Sequence, residues 1–170
     1  MSWNPRPWGL KVLANNLALV QMLGHELCMD FNSTSSRDIA LALSQYQGNQ
    51  GTSDFDLNKD LRPVAPKLRN AAVLIPIIER RAGLQVILTR RSSHLKHHPG
   101  QIAFPGGKVD QSDPSILDAA LREADEEIGL SRELVEVLGT LPQHETVSAF
   151  QVTPFVGLVS DTFHPRPEVG

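Results

Sequence analysis

Residues 113–130 are bounded as a helix by their own side chains. Asp113 is followed by Pro114, which predicts a helix start, because the carboxylate can accept bonds from free backbone N–H groups and proline suits the first helical position. Gly129 predicts the helix end, since glycine takes up the left-handed conformation that closes many helices. The chain must therefore fold so that this helix has a surface to pack on.

The predicted helix has two different faces. Four apolar side chains recur at helical spacing and predict packing on a sheet. They are Leu117, Leu121, Ala124 and Ile128. Glu123 and Glu127 are four residues apart and share another face, with Glu126 beside them. Like charges at this spacing destabilise a helix unless a bound divalent cation reverses the effect, and a solvated acidic surface is the alternative interpretation.

Four short apolar segments predict strands, because they are rich in β-branched residues and too short for typical helices. They are residues 71–78, 84–89, 135–138 and 151–159. The first two flank a predicted turn at residues 81–83 and should form a hairpin. Pro76 lies inside the first strand and predicts an edge strand or a bulge, because proline cannot donate to a ladder.

We predict two regions: a helical extension and linker over residues 1–68, and a folded α/β domain over residues 69–170. Residues 10–29 are predicted to form a soluble helix, because polar side chains interrupt the apolar run that a membrane-spanning helix needs. Ser36 is predicted to cap a helix from Arg37 to Tyr46. Residues 48–54 carry little apolar surface and predict a loop.

The bulk composition restricts the partners. The 170 residues carry a formal net charge of -3, which argues against a nucleic-acid polymer, since domains that bind one usually have a basic excess. No segment predicts a membrane span. Cys28 is the single cysteine, so no intramolecular disulfide forms, and a reducing, cytoplasmic location is expected. A homodimer is left open by the sequence.

The charges are unevenly distributed along the chain. Residues 110–136 contain nine acidic and two basic side chains, whereas residues 80–98 contain five basic side chains and no acidic one. Carboxylates that hold a metal beside arginines that bind phosphate are what the hydrolysis of a phosphoanhydride requires. This distribution favours a site for a small diphosphate substrate.

Gly107 and the run READEEIG at residues 122–129 resemble the Nudix box of the Nudix hydrolase superfamily. The resemblance implies an α/β fold, the Nudix α/β/α sandwich with a mixed β-sheet. It implies Glu123 and Glu127 as metal ligands, with the Gly107 carbonyl completing the shell. Glu126 would be a third ligand or the base that activates water, and Arg122 would orient the carboxylates. Hard oxygen ligands favour Mg²⁺ or Mn²⁺ over zinc.

A second resemblance covers residues 87–107. The runs LTRRS at residues 88–92 and GQIAFPGG at residues 100–107, with Lys96 between them, are similar to the coenzyme A pyrophosphatase signature. It implies that Arg91, Ser92 and Lys96 bind substrate phosphates. Lys96 stands where the family has arginine, so the bidentate fork is lost there. Three nearby histidines, at positions 94, 97 and 98, fit a solvated basic loop better than a metal site.

The same resemblance sets the expected function and one departure from the family. The reaction would be metal-dependent hydrolysis of the pyrophosphate bond of coenzyme A or its derivatives, giving 3′-phospho-AMP and 4′-phosphopantetheine. The alternatives are hydrolysis of ADP-ribose or dinucleoside polyphosphates, and a non-catalytic Nudix-like binding module. The domain is expected to be C-terminally short, because a further strand and a packing helix that are usual in the fold have no sequence here.

Overall fold

The strands and helices are those of a computed structural model that describes residues 11–13, 34–46, 48, 51–57, 60, 67–81, 83–90 and 101–165. The strands are β1 (Lys11–Leu13), β2 (Thr52–Ser53), β3 (Arg69–Arg80), β4 (Gly83–Arg90), β5 (Ile102–Ala103), β6 (Gly106–Lys108), β7 (Val135–Thr140), β8 (His144–Glu145) and β9 (Phe150–Val159). The α-helices are α1 (Ser36–Gln45) and α2 (Ile116–Ile128), and two short 3-10 helices span Asp54–Leu57 and Arg132–Leu134. None of the described helices is long and apolar enough to cross a bilayer.

The described strands form one mixed sheet in the order β1-β4-β3-β9-β8-β2, with β5 beside β4, β6 beside β3 and β7 beside β9. The long central pair, β3 and β9, is parallel, and the remaining pairs except β2–β8 are antiparallel. The predicted hairpin is confirmed as β3 and β4. All four predicted strands are present, each extended by one or more residues.

Strand β3 carries apolar side chains on both of its faces. Successive residues of a strand point in opposite directions, so these side chains enter two different clusters. Leu74 and Ile78 belong to the cluster that buries helix α2. Ile75 and Ile77 belong to a second cluster that buries Ile39 of helix α1. Helices therefore cover both faces of the mixed sheet, as the α/β/α sandwich requires.

The prediction that Pro76 marks an edge strand or bulge is wrong, because β3 is central. β3 pairs with β6 at residues 71–73 and with β4 at residues 77–80. Leu74, two residues before the proline, donates its N–H to Pro105 on the β6 side, so the nitrogen of Pro76 faces the same side. That nitrogen falls in the gap between the two partners, where a missing donor breaks no ladder bond.

The N-terminal region differs from the prediction at residues 11–13 and at the cap of α1. Residues 11–13 form strand β1 against β4, instead of the start of a helix over residues 10–29; the rest of that predicted helix lies outside the described residues. Ser35, and not Ser36, caps α1, through a capping box with Asp38. Ser35 is the cap because the Asp38 carboxylate accepts hydrogen bonds from both the N–H and the hydroxyl of Ser35, each at 2.8 Å.

The predicted loop at residues 48–54 contains a strand. Thr52–Ser53 pairs in parallel with β8, and the ring of His144 fixes this pairing. The Nδ1 atom of His144 lies 2.7 Å from the Thr52 hydroxyl, and its Nε2 atom lies 2.9 Å from Oδ1 of Asp54. Side-chain bonds thus replace the apolar surface that the segment lacks. The division of the chain at residues 68 and 69 stays a prediction.

Candidate active site

Helix α2 starts two residues later than predicted and ends at the predicted glycine. The N-cap is Ser115, whose hydroxyl accepts from the N–H of Asp118 at 3.1 Å. Asp113 is therefore not the cap, which corrects the prediction. At the other end Gly129 is left-handed, with φ 68°, and its N–H donates to the carbonyl of Asp125 at 2.8 Å. Leu130 then closes the turn through its own N–H.

The apolar stripe of α2 packs on the sheet as predicted. Leu121, Ala124 and Ile128 are buried, and Leu117 is partly buried against the same cluster. This packing fixes the rotation of the helix about its axis. The acidic residues on the neighbouring face are thereby brought beside strand β6.

Two of the predicted carboxylates contact consecutive residues of β6. The Glu123 carboxylate lies so close to Gly107 that a Cβ atom there would be 2.5 Å from both Cδ and Oε1 of Glu123. Oε2 of Glu127 accepts from the N–H of Gly106 at 3.3 Å. Glycine at position 107 is thus required by the close approach of an acid from the helix.

Arg122 is the centre of an ion-pair network. Its Nε and Nη2 atoms donate to the two oxygens of Asp113 at 2.9 and 3.1 Å. Its Nη1 donates to Glu123 at 3.0 Å and to Oε2 of Glu126 at 3.2 Å, and its Nη2 also donates to the Lys108 carbonyl at 3.3 Å. The bidentate bond to Asp113 fixes the plane of the guanidinium, which in turn orients the two glutamates.

The network changes the acidity of its members. The hydrogen bond from Arg122 holds the pKa of Asp113 below its ordinary value, with a further contribution from the N–H of Asp110. The bond to Asp113 in turn raises the pKa of Arg122, so the guanidinium stays charged. Burial raises the pKa of Glu123, although the hydrogen bond and the charge of Arg122 act in the opposite direction. A cation bound at Glu123 would offset that desolvation.

The oxygen donors at β6 fit a hard divalent cation. Glu123 and Glu127 face Gly106 and Gly107, while Glu126 is drawn to Arg122 and its side chain is 55% exposed. No three acidic, histidine or cysteine side chains among the described residues form a metal-binding cluster. Two carboxylates are nevertheless enough for Mg²⁺, which usually keeps several waters and completes its shell with substrate phosphate oxygens. The fit therefore rests on two carboxylates and the β6 backbone.

A family model described as the NUDIX domain matches residues 68–169. The chain belongs to the Nudix family. Helix α2 is accordingly its Nudix helix, and the mixed sheet with a helix on each face is the Nudix fold. Nudix hydrolases generally use divalent metal ions, which agrees with the donors at β6.

Several proteins similar to this chain are named Nudix hydrolases. The chain is 52% identical over 96 residues to the Uncharacterized Nudix hydrolase NudL of Enterobacter sp. (strain 638), a match that covers 56% of this chain and 50% of that protein. It is 45% identical over 141 residues to the protein of the same name from Yersinia enterocolitica, covering 81% of this chain and 67% of the relative. A crystal structure of a C. elegans Ap4A hydrolase binary complex is similar with a TM-score of 0.49 at 19% identity, covering 59% of this chain and 73% of the other. This chain thus spans about half the length of the first relative.

The structure brings together one part of the predicted Nudix site. Arg122, Glu123, Glu127 and Gly107 are adjacent, and Glu126 reaches the group through Arg122. Their roles in catalysis and metal binding stay predictions. The predicted phosphate-binding residues lie outside the described residues, as do the three nearby histidines; they are Arg91, Ser92, Lys96, His94, His97 and His98.

Two contacts of the Nudix site were not predicted. Asp113 serves the site by holding Arg122, and its side chain is only 4% exposed. Its position six residues after Gly107, where the Nudix box has an acid, was the signal for this role, although the following proline favoured a helix cap. The bond between Gly106 and Glu127 depends on how α2 lies against β6, which no local pattern indicates.

Proposed function

We propose that this chain hydrolyses the pyrophosphate bond of coenzyme A or its derivatives in a reaction that depends on Mg²⁺ or Mn²⁺. The observation that carries the proposal is the contact between the Nudix helix and strand β6. Glu123 and Glu127 meet two consecutive glycines there, and Arg122 orients Glu123 from the side. The two glycines also leave backbone that a metal-bound diphosphate could approach closely.

The choice of coenzyme A rests on the signature at residues 87–107. Its two ends are held together by the fold. Thr89 pairs with Ala103, its hydroxyl donates to the Ala103 carbonyl at 3.1 Å, and Arg90 pairs with Ile102. The Pro105 carbonyl then accepts from Leu74 next to β6. The described residues on both sides of Arg91, Ser92 and Lys96 are thus fixed in the sheet, and those that follow lead into β6, where Gly106 bonds Glu127. This arrangement supports the proposed role of the three residues in binding phosphate.

The proposed reaction is attack of water on one phosphorus of the diphosphate. The new P–O bond forms as the bridging P–O bond breaks, and the bridging oxygen leaves with the other phosphate. Water supplies the added oxygen, and its protons pass to solvent through a base. The products from coenzyme A are 3′-phospho-AMP and 4′-phosphopantetheine. A bound divalent ion would neutralise the phosphate charge and lower the pKa of water.

The residues of the chain have separate roles in this proposal. Glu123 and Glu127 hold the ion, with the Gly107 carbonyl as a further oxygen. Arg122 keeps Glu123 in its orientation, and Asp113 holds the guanidinium of Arg122 in place. Glu126 is the more exposed carboxylate and serves as a third ligand or accepts the proton of the attacking water.

A substrate panel tests the proposal. The full chain is incubated with Mg²⁺ or Mn²⁺ and with coenzyme A, ADP-ribose or a dinucleoside polyphosphate, and the products are separated by chromatography. We expect coenzyme A to give both predicted products with the highest kcat/KM. A higher kcat/KM for ADP-ribose or a dinucleoside polyphosphate would overturn coenzyme A as the substrate and identify that compound instead. No turnover from cooperatively folded protein that still binds coenzyme A would support a binding module instead.

A further inference from the structure

Arg69, the first residue of β3, is held in an unusual position for an exposed side chain. Its Cζ atom lies over the ring of Phe150, 4.0 Å from the centroid. Its Nη2 atom donates to the Ser148 carbonyl at 3.3 Å. The ring and the carbonyl together restrain a side chain that would otherwise lose much rotamer entropy on binding a ligand. The guanidinium has five N–H donors, so most of the fork is still available.

The turn that supplies these contacts is strained. Ala149 has φ 61°, in the left-handed region that is costly for a residue with a Cβ. Its carbonyl accepts from the N–H of Arg69 at 3.0 Å, and its own N–H donates to the Thr146 carbonyl at 3.0 Å. Strain of this kind persists where the surrounding structure fixes it, often at functional sites. Here the turn fixes the Phe150 ring and the Ser148 carbonyl, which hold the guanidinium of Arg69.

Lys108 lies on the same face of the sheet as Arg69. It is directly opposite Ala71 across the antiparallel pair of β3 and β6, and Arg69 is two residues from Ala71. Diagonal neighbours of this kind have Cβ atoms about 7–8 Å apart. The guanidinium of Arg69 lies over Phe150 of β9, so the long side chain of Lys108 has to extend across β3 for both groups to bind one anion. Lys108 is 59% exposed, with Asp110 as a loose partner at 3.6 Å.

No described carboxylate forms an ion pair with Arg69. A solvated surface arginine would explain the exposure of Arg69, but it would not explain the aromatic platform or the strained turn. Arg69 therefore offers its guanidinium to an external anion, and Lys108 offers an ammonium group that it shares with Asp110 at 3.6 Å. A phosphate monoester, which is dianionic and accepts bidentate bonds from arginine, matches them best.

The distance to the metal-binding residues limits where that phosphate sits in a substrate. Gly107 is opposite Ala72, and three residues of extended strand, or about 10 Å, separate Ala72 from Arg69. Gly107 and Lys108 are consecutive residues on opposite faces, so one molecule would reach both by passing over the edge of β6. A second phosphate in the same nucleotide, near the diphosphate but separate from it, is compatible with this spacing.

We propose that Arg69, supported by Phe150, binds together with Lys108 a phosphate monoester on the ribose of the substrate, which is the 3′-phosphate in coenzyme A. This inference rests on the proposed function and deepens it, because it explains how the site would distinguish 3′-phosphorylated from unphosphorylated nucleotides.

Comparison of coenzyme A with dephospho-coenzyme A, which lacks the 3′-phosphate, tests the assignment. For Arg69→Ala we expect KM for coenzyme A to rise about tenfold with kcat little changed, since a hydrogen-bonded charge pair is lost. KM for dephospho-coenzyme A should stay within about twofold of the wild type. Arg69→Lys should recover part of the loss. Arg81→Ala, in the exposed turn that follows β3, is the matched control and should leave KM unchanged for both substrates.

Equal effects of Arg69→Ala on the two substrates would overturn the assignment while leaving the proposed hydrolase intact. Calorimetric binding of adenosine 3′,5′-bisphosphate and of AMP provides a test that needs no turnover. The wild type should bind the bisphosphate more tightly, and Arg69→Ala should remove the difference. Equal affinity of the wild type for both nucleotides would overturn the assignment even if the chain proved inactive as a hydrolase.

Discussion

The substitution Gly107→Ala tests the contact on which the active-site geometry depends. The added methyl group would lie 2.5 Å from Cδ and Oε1 of Glu123 and 2.7 Å from Oε2. Non-bonded heavy atoms settle at about 3.5 Å, so the carboxylate must withdraw by about 1 Å. The backbone itself would not be strained, because Gly107 is not among the residues with positive φ.

The size of the effect follows from this displacement. Withdrawal of Glu123 breaks its 3.0 Å bond with Arg122 and moves a proposed metal ligand off its position. Overpacking of this kind typically costs about 1–3 kcal/mol of stability. A misplacement of about 1 Å at a reacting centre costs about 100-fold in rate, or about 2.7 kcal/mol of transition-state stabilisation. We therefore expect a folded protein that loses about 100-fold in activity and about 1–3 kcal/mol in stability.

The assay is kcat/KM for coenzyme A with Mg²⁺, together with a thermal melt of each variant. The double variant Gly107→Ala/Glu123→Asp is the control, because the shorter acid makes room for the methyl group. It should recover stability without recovering activity. Wild-type kcat/KM in Gly107→Ala would refute the reasoning, since it would mean that Glu123 is not fixed against β6 during the reaction.

Three further predictions concern single contacts. Asp113→Asn should lower kcat/KM about 10–100-fold in the same assay, because Arg122 loses the bidentate charged bond that fixes the plane of its guanidinium. Ala149→Gly should raise the free energy of unfolding by up to about 1 kcal/mol in urea titrations, because relief of the left-handed strain exceeds the entropy cost of glycine. The N–H of Val147 holds the pKa of Asp54 below its ordinary value, so this carboxylate contributes stability above its unfolded pKa and loses it as pH falls through the folded value. The urea midpoint of Asp54→Asn should therefore depend less steeply on pH than that of the wild type between about pH 5 and pH 3.

Each of these predictions has a contradicting result. Unchanged kcat/KM in Asp113→Asn would mean that Arg122 is oriented without Asp113. A lower urea midpoint for Ala149→Gly would mean that the turn is not strained. An equally steep acid dependence in the wild type and in Asp54→Asn would assign the acid loss to other carboxylates.

The parts of the fold that local chemistry determines were predictable. Helix α2 follows from its apolar spacing and from Gly129, and the β3–β4 hairpin follows from two apolar runs around a turn. The start of α2 was misplaced, because Ser115 and Asp113 are both good caps and only tertiary structure draws Asp113 to Arg122. Pro76 was misjudged because a gap between two strand partners is not visible in a single strand.

The site was predictable where its residues are close in sequence. The ion pairs of Arg122 with Glu123 and Glu126 lie within one turn of the Nudix helix. The pairing of Arg69 with Phe150 joins residues that only the parallel strands β3 and β9 bring together. No periodicity or motif marks such a pair, so it emerges only from the register of the sheet.

Hydrolysis of coenzyme A by the wild type and by Glu127→Gln tests the central claim most directly. Release of 3′-phospho-AMP would be measured with Mg²⁺ and with Mn²⁺, and Glu136→Gln, an exposed change on β7, is the control. We predict turnover by the wild type and by the control, and a rate of turnover at least about 100-fold lower in Glu127→Gln. Equal turnover by all three proteins would contradict the proposed metal site on the Nudix helix.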